Sequence, residues 1–132
     1  YTALIWLGPK ALSRFHRQPA PAMRRPLRDL AIRYFRRLGY RIETDVELDD
    51  PAGKTHKVDM VVRKDSEVRP VWIKDWRRTI GVNVVIGVDV EAEELGLGPP
   101  IIIGTRFSDR ARSYASRKGI TLLTPGDLEE IL

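Results

Sequence analysis

A chain of 132 residues is long enough for one domain with a single core and too short for two, and its 42% hydrophobic and 31% charged residues are those of an ordinary soluble globular protein. It has no cysteine, which excludes disulfides, thiolate zinc sites and cysteine nucleophiles. The net charge of +5 is concentrated in residues 1–40, where nine Lys plus Arg face the single acid Asp29; 17 of the 23 basic residues are arginine, whose planar fork suits phosphate. Such an asymmetry favours a polyanionic partner, nucleic acid first, or else a solvated basic helix face.

Residues 1–23 read as an N-terminal extension, with a short helix over Lys10–Arg17 and a break at Pro19 and Pro21; the domain itself is expected over 24–132. The apolar opening Leu4-Ile5-Trp6-Leu7 is too short to span a bilayer and no signal-peptide pattern surrounds it, so no membrane partner and a cytoplasmic location are expected. The first residue is Tyr rather than Met, which leaves room for upstream domains. Pro26 suits the first turn of a helix. From there Leu27, Leu30, Ala31, Tyr34, Phe35 and Leu38 fall on one face, Gly39 ends the run, and Arg28, Arg33, Arg36 and Arg37 point outward.

Strict alternation over Tyr40 to Leu48 predicts a half-buried strand, and Asp49 to Gly53 a turn. Thr55 to Arg63 returns as a second strand, with His56, Val58, Met60 and Val62 on one face and Asp59 and Val61 on the other. A polar break over 64–67 leads into a third strand running to Trp76, so that Trp72, Lys74 and Trp76 share a face. Residues 82–90 alternate as a strand would, but the parallel strand that follows requires a crossover, which predicts a helix ending at Gly96. Ile101-Ile102-Ile103 reads as a strand buried on both faces. Ser108 can cap a helix closed by Gly119, Ile120 to Leu123 is a short strand, and Thr124 opens a last helix. The order of helix, three antiparallel strands, crossover, strand, helix, strand and helix predicts an α/β fold, a sandwich around a mixed sheet.

The hairpin brings Asp59 opposite Lys74, setting a carboxylate and an ammonium side by side near a strand end. At these residues the chain resembles the PD-(D/E)xK nucleases, and in particular the Mrr-type group and its archaeal relatives. The resemblance rests on Asp59, on the strand Trp72-Ile73-Lys74 and the Asp75-Trp76 after it, on Ile80-Gly81-Val82-Asn83, on Ile101 to Thr105 with Phe107, on Ala111 and Ala115, and on Gly119 to Leu123. It covers roughly Leu27 to Leu132 and implies a restriction-endonuclease-like three-layer sandwich around a mixed β-sheet.

It further implies a Mg2+-dependent endonuclease acting on DNA, with Asp59 as catalytic residue and metal ligand and Lys74 as the catalytic lysine; a homodimer stays open as a further partnership. The chain departs from the family pattern where Trp72 occupies the position of an acid, Glu, Asp or Gln. It departs again near Arg28, where the first helix usually carries an acid; Asp29 is the nearest substitute. One carboxylate is a poor magnesium site unless Asp75, Glu47 or Glu43 supplies a second. Cleavage is therefore expected to be weak or lost, and three readings stay open: a metal-dependent endonuclease, a pseudo-nuclease that binds nucleic acid or a partner protein, or a structural subunit whose N-terminal apolar segment pairs with another chain.

Trp72 either fills the volume left by the lost acid or offers a face for a base to stack on. His56 is either structural or a counterpart of the histidine in tRNA-splicing endonucleases, which share this fold. Arg24, Arg25, Arg28, Arg33, Arg36 and Arg37 could track phosphates along the first helix, and Arg77, Arg78 and Arg106 follow elements that, by the resemblance, end near the cleft.

Overall fold

Hydrophobic spacing builds the first element. Helix α1, Arg25–Arg37, buries Leu27, Leu30, Ala31 and Phe35 along one stripe. Gly39, at φ 90°, turns the chain out of it in a left-handed conformation that a side chain would strain. The computed structural model describes residues 25–132, so the expected extension and its helix over Lys10–Arg17 lie outside the described residues.

Three antiparallel strands follow: β1 (Arg41–Asp49), β2 (Thr55–Lys64) and β3 (Glu67–Lys74). Helix α2 (Val82–Leu95) crosses to β4 (Ile101–Gly104), which lies parallel to β3. Helix α3 (Asp109–Lys118) crosses to β5 (Thr121–Leu123), parallel to β4, and the short α4 (Pro125–Glu129) closes the domain. The strands lie in the order β1-β2-β3-β4-β5. On one face Met60, Val62, Val71, Ile101 and Ile103 pack with α1 and with Leu128 of α4; on the other Val61, Trp72 and Ile102 pack with α2 and α3. The α/β/α three-layer sandwich predicted above is thus the observed architecture.

Residues 82–90 are helical, as the crossover requires, despite their alternation. Val85, Val88 and Ala92 take the buried stripe, and the leftover apolar residues Ile86 and Val90 face outward at 37% and 49% exposure. Regular β3 pairing ends at Lys74, so Asp75 and Trp76 belong to the following loop rather than to the strand.

The second correction concerns the β1–β2 ribbon. Alternation predicts Val58, Met60 and Val62 on one face, yet Val58 packs on the α2 side while Met60 and Val62 pack on the α1 side. In β1, Ile42 and Val46 divide in the same way. Between them lies Asp45, at φ 53°, opposite Asp59 in the register, and neither belongs to a paired position. One residue in the left-handed region turns the strand over. The far half of the hairpin therefore folds onto α2, and Asp59 lies at the crease.

Candidate active site

The crease determines what Asp59 can reach. Pairing of β2 with β3 stops at Met60↔Val71, so the strands part where β2 turns toward α2. The Asp59 carboxylate fills that fork: its Oδ2 accepts the N–H of Ile73 at 2.8 Å. An otherwise unpaired backbone donor is satisfied by the acid that faces the opening.

Lys74, the next residue, pairs in register with Gly104 of β4. Extending the β2–β3 register would set Asp59 across from Trp72, not Lys74, so the expected direct opposition is corrected by two positions. The two side chains still belong to one fork, since the acid binds the residue preceding the lysine. Among the described residues no ion pair joins them. Lys74 Nζ instead lies 5.7 Å from the centroid of the Trp76 ring.

Gly104 is required here by close approach. A Cβ at this position would run into the Ile80 side chain and come within 3.2 Å of Phe107 Cζ, and Ile80 and Phe107 form a parallel bridge beside the fork.

Trp72 is 4% exposed and belongs to the core cluster with Ile80, Val85, Val88 and Ile102. At this burial it fills core volume and presents no exposed face on which a base could stack in this structure.

A family model described as restriction endonuclease, the Mrr catalytic domain, matches residues 24–132. The chain belongs to the Mrr-type restriction endonuclease family. No curated protein matches it. Among solved structures it is similar to the protein of unknown function AF1548, with TM-score 0.70 and 18% identity over 80% of this chain and 65% of that one. A repair endonuclease from Pyrococcus abyssi is similar at TM-score 0.55 and 16% identity, covering 81% of this chain and 47% of that one. Protein VC1899 from Vibrio cholerae is similar at TM-score 0.59 and 10% identity, covering 80% and 30%. At these identities the likeness is one of fold, and the chain spans less than two thirds of each structure's length.

Restriction endonucleases of this superfamily are typically metal-dependent, and the residues at the fork bear on whether this member can hold magnesium. Mg2+ takes hard oxygen ligands in near-octahedral geometry. Asp59 supplies carboxylate oxygen, but the core-filling Trp72 stands where the resemblance leads one to expect a second acid. Glu43 lies 3.3 Å from Arg63 as an ion pair, and Glu47 is exposed opposite Lys57. Asp75 is exposed in the loop after the strand. Among the described residues no group of three His or carboxylate donors includes Asp59. The fork therefore does not fit a magnesium centre of the family type.

The basic residues separate into two sets. Arg77, Arg78 and Arg106 are exposed beside the fork: Arg106 Nη2 donates to the Arg77 carbonyl at 3.1 Å, and the Arg78 guanidinium lies 4.4 Å from the Trp76 ring centroid. Trp76 thus fixes the direction of two cations, Lys74 and Arg78. On α1, Arg28 is bound to Asp45 at the crease, Nη2 to Oδ2 at 2.7 Å, and so is not a free outward charge. Arg33, Arg36 and Arg37 are exposed further along the helix; the end of α1 lies near Lys64, whose Nζ donates to the Leu38 carbonyl at 2.7 Å. A helix rise of about 13 Å separates Arg28 from Arg37, so these arginines lie toward the opposite end of the sheet from the fork. Arg24 and the side chain of Arg25 lie outside the described residues.

His56 is buried rather than lying alone on a strand face. Its Nε2 is 2.8 Å from Asp50 Oδ2, its Nδ1 is 3.2 Å from Glu91 Oε2, and Glu94 Oε1 is 3.7 Å from Nε2. The Asp50 hydrogen bond raises the imidazole pKa above its usual value, and the same bond lowers that of Asp50. Asp50 Oδ1 also accepts the N–H groups of Ala52 and Lys54, which holds the β1–β2 turn. These acids were missed in the sequence. Glu91 and Glu94 are three apart on a helix and so share a face, but only the folded hairpin shows which strand they meet.

Proposed function

We propose that this domain is a DNA-binding member of the restriction endonuclease family in which phosphodiester cleavage is weak or lost. Lys74, Arg77, Arg78 and Arg106 engage backbone phosphates at the fork between β2 and β3. The observation that carries the proposal is the contrast at that fork: oriented cations are kept, while the second carboxylate is replaced by a buried indole. Arginine and lysine aimed at phosphates bind without reading bases, because the phosphate contacts carry no sequence information. Asp59, which in a complete centre would face the scissile phosphate, here holds the amide of Ile73 and keeps the fork open.

The test is conversion of supercoiled DNA to nicked or linear forms with Mg2+ or Mn2+, using the native chain and Lys74→Ala. The proposal expects binding by the native chain with no cleavage above the Lys74→Ala background. Metal-dependent nicking that Lys74→Ala abolishes would return the domain to the working nucleases, with Asp59 and Lys74 as its catalytic pair.

A further inference from the structure

Away from the fork, the far arm of the hairpin meets α2 through a second set of polar groups. We propose that Asp50, His56 and Glu94 form a zinc site that pins the β1–β2 hairpin to α2. The donors come from three places in the fold: the turn after β1, strand β2 and the last turns of α2. One donor atom from each lies within 4.8 Å of the others. The spans from His56 Nε2 to Asp50 Oδ2 and to Glu94 Oε1 are 2.8 and 3.7 Å. They bracket the roughly 3.3 Å edge of a tetrahedron with metal–ligand bonds of about 2.0–2.1 Å.

The surroundings of the imidazole agree with ligation. His56 is 3% exposed, and Nδ1 is held by Glu91 at 3.2 Å. A carboxylate on the ring nitrogen not used for the metal fixes the tautomer and raises ligand basicity. Three carboxylates converge on this one ring, two of them on the Nε2 edge where a cation would sit, with Lys54 and Lys57 at the border of the cavity beside it. An open cavity of about 440 Å³, bordered by Lys54, Lys57, Gly87, Val90, Glu91 and Glu94, gives access to the cluster. One imidazole with two carboxylates favours Zn2+ over Mg2+, which prefers all-oxygen shells.

The experiment uses the full chain with ZnCl2 as the only added ligand, and reads both the thermal melting temperature and the imidazole nitrogen resonances of His56. Zinc is expected to bind one per chain, to raise the melting temperature, and to shift Nε2 while Nδ1 keeps its proton. His56→Gln and Glu94→Gln should each remove the zinc-dependent rise, and Glu91→Gln, acting only through the ring, should weaken binding 10–100-fold. His16→Gln, which changes the chain's other histidine, should leave the rise intact. Glu94→Gln alters an exposed surface group and so keeps the test valid if His56→Gln fails to fold. The proposal is overturned if His56 remains doubly protonated in saturating zinc, which would make the cluster an ion-pair latch only. It is equally overturned if Glu94→Gln melts with the same zinc dependence as the native chain, or if His16→Gln abolishes it. None of these outcomes bears on DNA binding at the fork.

Discussion

Two residues before Lys74, an indole lies inside the core where the family pattern calls for an acid. Burying a side chain of this size stabilises the fold by several kcal/mol, and truncating one typically costs ~3–5 kcal/mol. Trp72→Glu would create a cavity and add a buried charge as well. The expected outcome of this reversion is therefore loss of at least ~3–5 kcal/mol, read by urea denaturation, and no recovery of cleavage. Asp59 behaves differently. Asp59→Asn retains an oxygen for the Ile73 N–H, and stability should change by less than ~1 kcal/mol, whereas Asp59→Ala leaves that donor unpaired and should cost ~1–3 kcal/mol. On the proposed phosphate binding at the fork, removing the Asp59 charge should tighten duplex binding in metal-free buffer, measured by fluorescence anisotropy. Weaker binding by Asp59→Asn would show that the acid and the phosphates do not share the fork.

At the scale of elements, helices and strands were largely legible because their periodicities are local, and the crossover rule identified α2 where alternation pointed the other way. The crease was not legible. Nothing in the order Val58, Asp59, Met60 announces that the strand changes faces. The event is set by the left-handed backbone of Asp45, a conformation that aspartate tolerates but does not dictate. From it follows the meeting of His56 with Glu91 and Glu94, whereas the register that sets Asp59 across from Trp72 is fixed by the tight turn between Lys64 and Glu67. The replaced acid was legible from motif spacing alone, while its consequence, a filled core, required the packing. Gly104 offers a check on the adjoining connection: Gly104→Ala pushes a methyl into Ile80 and should destabilise the domain by ~1–3 kcal/mol, seen as a lower denaturation midpoint. An unchanged midpoint would mean that the bridge between Ile80 and Phe107 yields freely.

For the whole molecule, charge placement matters more than net charge. The chain carries +5, but the described arginines of α1 do not converge on the fork: Arg28 is paired with Asp45, and Arg36 and Arg37 lie toward the other end of the sheet. No helix among the described residues is long and apolar enough to cross a membrane. The loop after β3 gathers Arg77 and Arg78 with Arg106 and Lys74, and the phosphate contacts proposed there would release counterions from DNA. The most direct measurement is therefore the salt dependence of duplex binding, comparing the native chain with the triple variant Arg77→Ala, Arg78→Ala, Arg106→Ala. The slope of log K against log salt should be about −3 or steeper for the native chain and should flatten by about 2.7 in the variant, at roughly 0.9 per lost contact. Equal slopes for the two proteins, or native binding indifferent to salt, would contradict DNA binding at the fork.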